Sequence, residues 1–325
     1  MDHNFQKYFS DSVTKVRDLD HQGNNKLYEV TTEKGRFLLK QYSDSSQHGW
    51  KRGENESTQI SLLWGLGFRE IPRLVSFTPS GNVAVYSFIP GRVLEQKEVS
   101  KENMVQLAYF AAKMHNIGDE HKAKVNLSKT FSLSIADYLG VLDMRVAQIK
   151  SDFEGSSEAR DFFYNEVLPK VEKVKKSILD QTSNPSIQLP LSKQAIVHGD
   201  FGVHNLIVDQ DKKGTVVDFE YSSRDDPLKD IFSVLHHHKH QEIPLELKKL
   251  FLDTYLSQRP NAEALAKKIK LLNPWAIMEW VLIYLNPFSK QYAKHMSFSQ
   301  GVDDIEEIRK IRLERASNRL ESLTI

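Results

Sequence analysis

Asp200 and Asn205 lie in the stretch HGDFGVHN, residues 198–205, and Asp218 closes the apolar run of GTVVDFE. Val203 to Val208 and Thr215 to Val217 have strand-like patterns, and pairing them as a hairpin brings the three polar side chains to one end. A carboxylate and a carboxamide meeting there offer only oxygen donors. That suits a hard cation such as Mg²⁺, which typically takes one or two protein ligands and completes its shell with phosphate oxygens and water. It also leaves Asp200 free to accept a proton from a hydroxyl.

The elements that must carry these residues are legible as a change of period along the chain. KLYEVTTEKGRFLLKQY alternates apolar and polar positions about Glu33-Lys34-Gly35, and VSFTPSGNVAVYSFI repeats this about Pro79-Ser80-Gly81, so two hairpins are predicted. Between them ENESTQISLLWGLG sets Ile60, Leu63 and Trp64 at helical spacing and ends at glycines. After Ile89-Pro90-Gly91 the pattern turns helical. Met104, Leu107, Ala108, Ala111 and Met114 lie on one face, and further helices are predicted over 134–150, 158–180, 244–257, 261–286 and 302–322. The short strands of QAIVHGD, NLIVDQ and GTVVDFE interrupt that helical region. The expectation is an α+β fold of two lobes: residues 1–92, a small antiparallel sheet with one helix and a linker at its end, and residues 93–325, a larger, mostly helical lobe.

Bulk composition narrows the partners. Lys plus Arg number 44 against 43 for Asp plus Glu, so no charge surplus points to nucleic acid or an anionic membrane. With no cysteine there is no disulfide, thiolate metal site or cysteine nucleophile. The start MDHNFQKYFS lacks a signal-like apolar stretch, and AIMEWVLIYL at 276–285 is too short to span a bilayer and carries Glu279. A soluble, cytoplasmic protein is expected.

HGDFGVHN followed by VVDFE resembles the signature of the aminoglycoside phosphotransferase and choline kinase group, small-molecule relatives of protein kinases. The resemblance implies a bilobal protein-kinase-like fold, ATP and Mg²⁺ as cofactors, and a small-molecule hydroxyl as acceptor. It makes Asp200 the catalytic base, Asn205 and Asp218 the magnesium ligands, and Glu220 a nearby group. Asp230 in DDPLKDI resembles the aspartate that braces the catalytic loop, and FIPGR at 88–92 the inter-lobe linker. Phosphoryl transfer of this type also asks for a loop over the phosphates and a lysine fixed by a helix glutamate. Gly23, Asn24 and Asn25 occupy the loop position, and Lys40 follows in FLLKQY. Glu54 and Glu56 compete as its partner; Glu56 is favoured because Ile60 and Leu63 follow at four and seven residues. The loop has one glycine where protein kinases show three, and no Ala-Pro-Glu triplet follows Asp218, which favours a small-molecule kinase over a regulated protein kinase.

Other signals receive plainer readings. His198 is expected to be a packed, hydrogen-bonded residue of the loop. Asp209 to Glu220 mimics a calcium-loop spacing, but Lys213 puts a cation at a ligand position and strands flank it where helices are required, so DQDKKG reads as a hairpin turn. His236, His237, His238 and His240 read as incidental residues of a partly exposed helix end. Trp275, Trp280 and Tyr284 read as core, with some of them available to line an acceptor pocket. Asp225, Asp226, Glu279, Asp303 and Asp304 are candidates for an acidic acceptor surface, weighed against an ordinary solvated face. The DFEYSSRDDPLKDI stretch also resembles spore-coat-associated kinase-like proteins, which keeps open a binding or structural role without catalysis.

Overall fold

The computed structural model describes residues 5–19, 25–43, 51–293 and 305–325. In the small lobe, β1 (Val13–Asp18), β2 (Lys26–Thr32), β3 (Gly35–Gln41), β4 (Leu74–Thr78) and β5 (Val83–Ser87) form an antiparallel sheet in the order β1-β2-β3-β5-β4. Both predicted hairpins are present, β2–β3 and β4–β5. The two-residue period of a strand sends alternate side chains to opposite faces. Val30, Leu39, Val83 and Val85 pack together on one face, while Ala84 and Tyr86 join Ile60 and Leu63 of α1 (Arg52–Gly65) in the main core. Lys40 follows Leu39 and pairs with Ala84 in register, so the same alternation turns it toward α1.

After β6 (Arg92–Val93) the chain is mostly helical. It contains α2 (Lys101–His115), α3 (Asp119–Lys122), α4 (Ile135–Ser151), and α5 (Ser157–Asp161), which runs through a π turn at Phe162–Val167 into α6 (Leu168–Asp180). Then come β7 (Ala195–Val197), β8 (Leu206–Val208), β9 (Gly214–Val216), β10 (Ser223–Asp225), α7 (Leu228–His236), α8 (Leu245–Ser257), α9 (Ala262–Tyr284) and α10 (Ile305–Glu321). Capping boxes start α2 and α4: Ser100 with Asn103, and Ser134 with Asp137. The five predicted apolar positions of α2 are all buried. α10 packs along α9; Arg309 donates to the Pro287 carbonyl at 3.0 Å, and Arg319 reaches the end of α7.

β8 and β9 form the inserted hairpin, with Leu206 opposite Val216. Its turn is closed by the Lys213 amide donating to Asp209 Oδ1 at 2.8 Å, and strands flank it on both sides. Two ladders were not anticipated: β6 adds to β8, and β10 pairs antiparallel with β7. Strands of two or three residues carry no period, and their pairing is set by distant chain. Among the described residues no helix is long and apolar enough to cross a membrane.

Candidate active site

The loop after β7 is shaped by a buried acid. Asp230, in the first turn of α7, accepts the backbone N–H of His198 at 2.8 Å and of Gly199 at 3.0 Å, and faces His115 Nε2 at 3.1 Å. His198 is fully buried between Phe201 and Phe219, with Nε2 at 2.9 Å from the Val217 carbonyl and Nδ1 accepting the Asp200 amide. It is the packed, hydrogen-bonded histidine that its surroundings in the sequence suggest. Gly199 has φ +85°, and a Cβ there would lie 2.6 Å from the Tyr221 carbonyl oxygen, so the loop needs glycine at that point. With the loop fixed, Asn205 donates through Nδ2 to the Asp200 carbonyl at 2.8 Å, and Val217 N–H donates to the Asn205 carbonyl at 2.9 Å. Asp200, Asn205 and the approach to Asp218 are thereby gathered at one end of the β8–β9 hairpin.

Asp218 itself has φ +71°, a left-handed backbone that costs a non-glycine residue on the order of 1 kcal/mol. The turn directs its carboxylate at the small lobe, where Oδ1 lies 2.5 Å from Lys40 Nζ. Lys40 Nζ is also 2.8 Å from Glu56 Oε2 and 3.6 Å from Glu220 Oε2. Burial alone would pull the lysine down, but Asp218, Glu56 and Glu220 together hold its ammonium well above the ordinary range. Glu56 does more than face the lysine: Oε2 accepts the Tyr42 hydroxyl at 2.6 Å, and Oε1 accepts the Phe219 amide at 3.0 Å, tying α1 to the strand end that carries Asp218. Burial pushes Glu220 above the usual carboxylate range despite Lys40. Asn25 donates to Glu220 Oε2 at 2.6 Å and keeps its own carbonyl oxygen buried without a hydrogen bond. Gly23 and Asn24 of the same loop lie outside the described residues.

The histidines after α7 depart from the sequence reading. His236, His237 and His240 are buried, and two of them belong to the surroundings of Asp200. His204 Nε2 lies 3.1 Å and His237 Nε2 3.6 Å from Asp200 Oδ1. His240 donates from Nδ1 to the Ser233 and Val234 carbonyls, which turns the lone pair of Nε2 toward His204 Nδ1 at 3.0 Å. Burial would raise the Asp200 carboxyl, yet the His204 contact, with His237 and His198 behind it, holds it well below the usual range. His204, His237 and His240 are close enough together to suggest a metal site. Their geometry argues otherwise. The His204 and His237 rings stack 4.2 Å apart at 6°, so their planes do not converge, and His237 Nδ1 already accepts the Lys239 amide. The ring of His240 fills the space a side chain at 202 would occupy, since a Cβ on Gly202 would sit 2.1 Å from His240 Cε1.

A cavity of about 430 Å³ opens beside Asp200, within the roughly 300–1,000 Å³ typical of small-molecule sites. Tyr221, Phe232, Trp275 and Trp280 supply its aromatic wall, while Tyr284 is core. Among the described residues neither the candidate acidic surface nor the solvated face weighed against it forms. Asp225 and Asp226 are buried, paired with Lys229 and Lys268, and Glu279 lines the cavity but pairs with Arg145 at 2.9 Å. Asp303 and Asp304 lie outside the described residues. Arg52 and Lys129 line the same cavity and were missed, because each sits in a stretch with no motif. His204 was missed although it directly precedes Asn205; its helix-like spacing from Asp200 was the available signal.

A small sheet lobe with a lysine–glutamate pair, joined to a helical lobe whose Asp200 lines a cavity, with Asn205 on the same loop and Asp218 against the lysine, defines a kinase-like phosphotransferase architecture. The chain matches the phosphotransferase enzyme family over residues 15–266 and belongs to it. Among solved structures it is similar to choline kinase LicA from Streptococcus pneumoniae, at 18% identity over 98% of this chain and 97% of that one, with a TM-score of 0.65. It is also similar to spectinomycin phosphotransferase APH(9)-Ia in complex with ADP and spectinomycin, at 13% identity over 95% and 96% of the two chains, TM-score 0.61. Aminoglycoside phosphotransferase APH(2'')-Ib, ADP-bound, aligns at 16% identity over 98% and 95%, TM-score 0.61. At such identities these likenesses establish the fold. No curated protein matches the chain by sequence.

Proposed function

We propose that the protein moves the γ-phosphoryl group of ATP to a hydroxyl of a small molecule bound in the cavity beside Asp200. The observation that carries this reading is that Asp200 lines that cavity while sharing its loop with Asn205 and lying close to the Lys40–Asp218 ion pair. Solved structures of the same fold hold AMP or ADP, which supports a nucleotide as donor.

In this mechanism Lys40, held by Glu56, orients the α- and β-phosphates, and Asn25 belongs to the loop covering them together with Gly23 and Asn24. Asp200 aligns the acceptor hydroxyl and takes its proton. Its carboxylate is poised mainly for alignment, because the neighbouring imidazoles lower its basicity. The residues present fit Mg²⁺: Asn205 spends its N–H on the Asp200 carbonyl and keeps its carbonyl oxygen, and Asp218 gives Oδ1 to Lys40 and keeps Oδ2. Both are the hard oxygen donors that ion prefers. Bound there, Mg²⁺ would neutralise charge on the phosphate oxygens. Dependence on ATP and the absence of cysteine suit the cytoplasm.

The test is ADP release measured across amino alcohols, sugars and aminoglycosides, beside thermal unfolding with and without Mg-ATP. Acceptor-dependent ADP formation that disappears in Asp200→Asn is expected. Stabilisation by nucleotide with no acceptor-dependent ADP across the panel would instead support a binding protein on this fold.

A further inference from the structure

Arg145 of α4 and Glu279 of α9 meet on the wall of the cavity beside Asp200. Their pairing uses one edge of the guanidinium and one oxygen of the carboxylate: Nη2 lies 2.9 Å and Nε 3.3 Å from Glu279 Oε1. Arg145 Nη1 and Glu279 Oε2 take no part in it and make no other hydrogen bond among the described residues. The two side chains keep 19% and 20% of their surface exposed, and both line the cavity. A donor and an acceptor are thereby left next to one another, on groups whose charges already cancel.

The other charges of the wall are engaged within the protein. Lys229 Nζ lies 2.7 Å from Asp225 Oδ2, Arg52 faces Glu220 at 3.5 Å and the Tyr221 ring at 5.3 Å, and Lys129 is not free. Between Asp200 and the Arg145–Glu279 pair the wall is aromatic. The Trp280 ring meets the His237 ring at 4.7 Å, and His237 Nε2 lies 3.6 Å from Asp200 Oδ1, while Trp280 directly follows Glu279 in α9. A ligand that presents a hydroxyl to Asp200 and reaches the pair passes along Trp280.

An adjacent donor and acceptor suit two neighbouring hydroxyls, one donating to Oε2 and the next accepting from Nη1. A charged group meets a like charge in this pair whichever side it approaches: Arg145 repels an ammonium drawn to Glu279, and Glu279 repels a carboxylate drawn to Arg145. A quaternary ammonium has neither an N–H for Oε2 nor a lone pair for Nη1. We propose that the acceptor is an uncharged polyol or sugar with neighbouring hydroxyls, and that the Arg145–Glu279 pair selects it, with its C–H face against Trp280. This assignment of substrate class rests on the phosphotransferase reading of the site. It separates this chain from relatives whose names specify choline or an aminoglycoside.

The experiment compares two series matched in body and differing in charge: glucose, glucosamine and glucuronate, and glycerol, 3-amino-1,2-propanediol and glycerate. Affinity is read by calorimetry or ligand-observed NMR on the full chain, and ADP release is read separately. The uncharged member should bind at least about tenfold tighter than its charged counterparts in at least one series. Glu279→Gln, which leaves the arginine alone, should move the preference to the carboxylate member, and Arg145→Met should move it to the amine. The double variant Arg145→Met with Glu279→Met leaves no lone charge, a replacement that folds generally tolerate, and should bind all three members alike. Tightest binding by a charged member, no uncharged binder in either series, or an uncharged preference that survives the double variant overturns the assignment. An uncharged diol that binds in this way with no ADP formed would retain the pocket assignment and remove the phosphotransferase reading; ADP formed only with a charged acceptor would do the reverse.

Discussion

Lys40 of β3 and Asp218, just beyond β9, meet at 2.5 Å across the two lobes, although 178 positions separate them in the chain. The lysine is almost wholly buried, and Glu56 and Glu220 share its charge. Lys40→Met would leave three carboxylates in one low-dielectric site with no ammonium among them. Breaking a buried pair from one side costs about 3–5 kcal/mol, so urea unfolding should show a loss of at least about 3 kcal/mol together with loss of turnover. Because the folded-state lysine titrates above its unfolded value, this contribution is fully present below about pH 10 and disappears only as pH rises through the folded value.

Asp200→Asn removes the carboxylate proposed to take the acceptor's proton. Turnover should fall by roughly a hundred- to ten-thousandfold while Mg-ATP still raises the melting temperature. Unchanged turnover would take Asp200 out of the chemistry.

Asp230→Ala would strip the acceptor from the amides of His198 and Gly199 and leave His115 without its carboxylate. Unsatisfied buried donors cost about 1–3 kcal/mol each. Denaturant titration should reveal a loss of about 3 kcal/mol, with kcat falling because the loop bearing Asp200 is no longer held.

A methyl group added by Gly202→Ala collides with the His240 ring. Overpacking of this kind costs about 1–3 kcal/mol, and displacing His240 releases His204 from one of its partners. Lower thermal stability should therefore accompany reduced activity; a variant with wild-type values for both would show that the ring can move aside freely.

His236 and His240 are pushed down to about 3 by burial, aided by the charge of Arg319 for the first and of His204 for the second. Both remain neutral in the fold but take up protons near pH 6.5 when unfolded. Their contribution is therefore present above about pH 6.5 and is lost as pH falls toward 3. Each adds a slope of about 1.4 kcal/mol per pH unit, so unfolding free energy should drop by about 3 kcal/mol per unit between pH 6 and pH 4 from this pair. A His236→Gln variant should show roughly half that slope.

The motif residues were legible because loop chemistry and strand period are local. HGDFGVHN, VVDFE and FLLKQY could be read within a few residues, and Glu56 was separable from Glu54 by the helix spacing of Ile60 and Leu63. The hairpins about Gly35 and Pro79-Ser80-Gly81 were readable for the same reason. What stayed hidden depends on distant chain. β6 and β10 are too short for a period, and the partners of Asp225, Asp226 and Glu279 come from elements far away in sequence. Identical charges written in the sequence can become a solvated face, an internal pair or a cavity wall. Arg52 and Lys129 show how completely that outcome depends on what packs around them.

The reach of α10 has a practical corollary. Arg319 donates to His236 Nδ1 at 2.6 Å, so the last helix braces the turn bearing His237 and His240, and through it the flank of Asp200. Chimaeras that exchange the tail between relatives would inherit a misfitted wall beside Asp200 even with every signature residue intact. Grafting experiments on this scaffold should keep residues 198–240 and the terminal helix from the same parent.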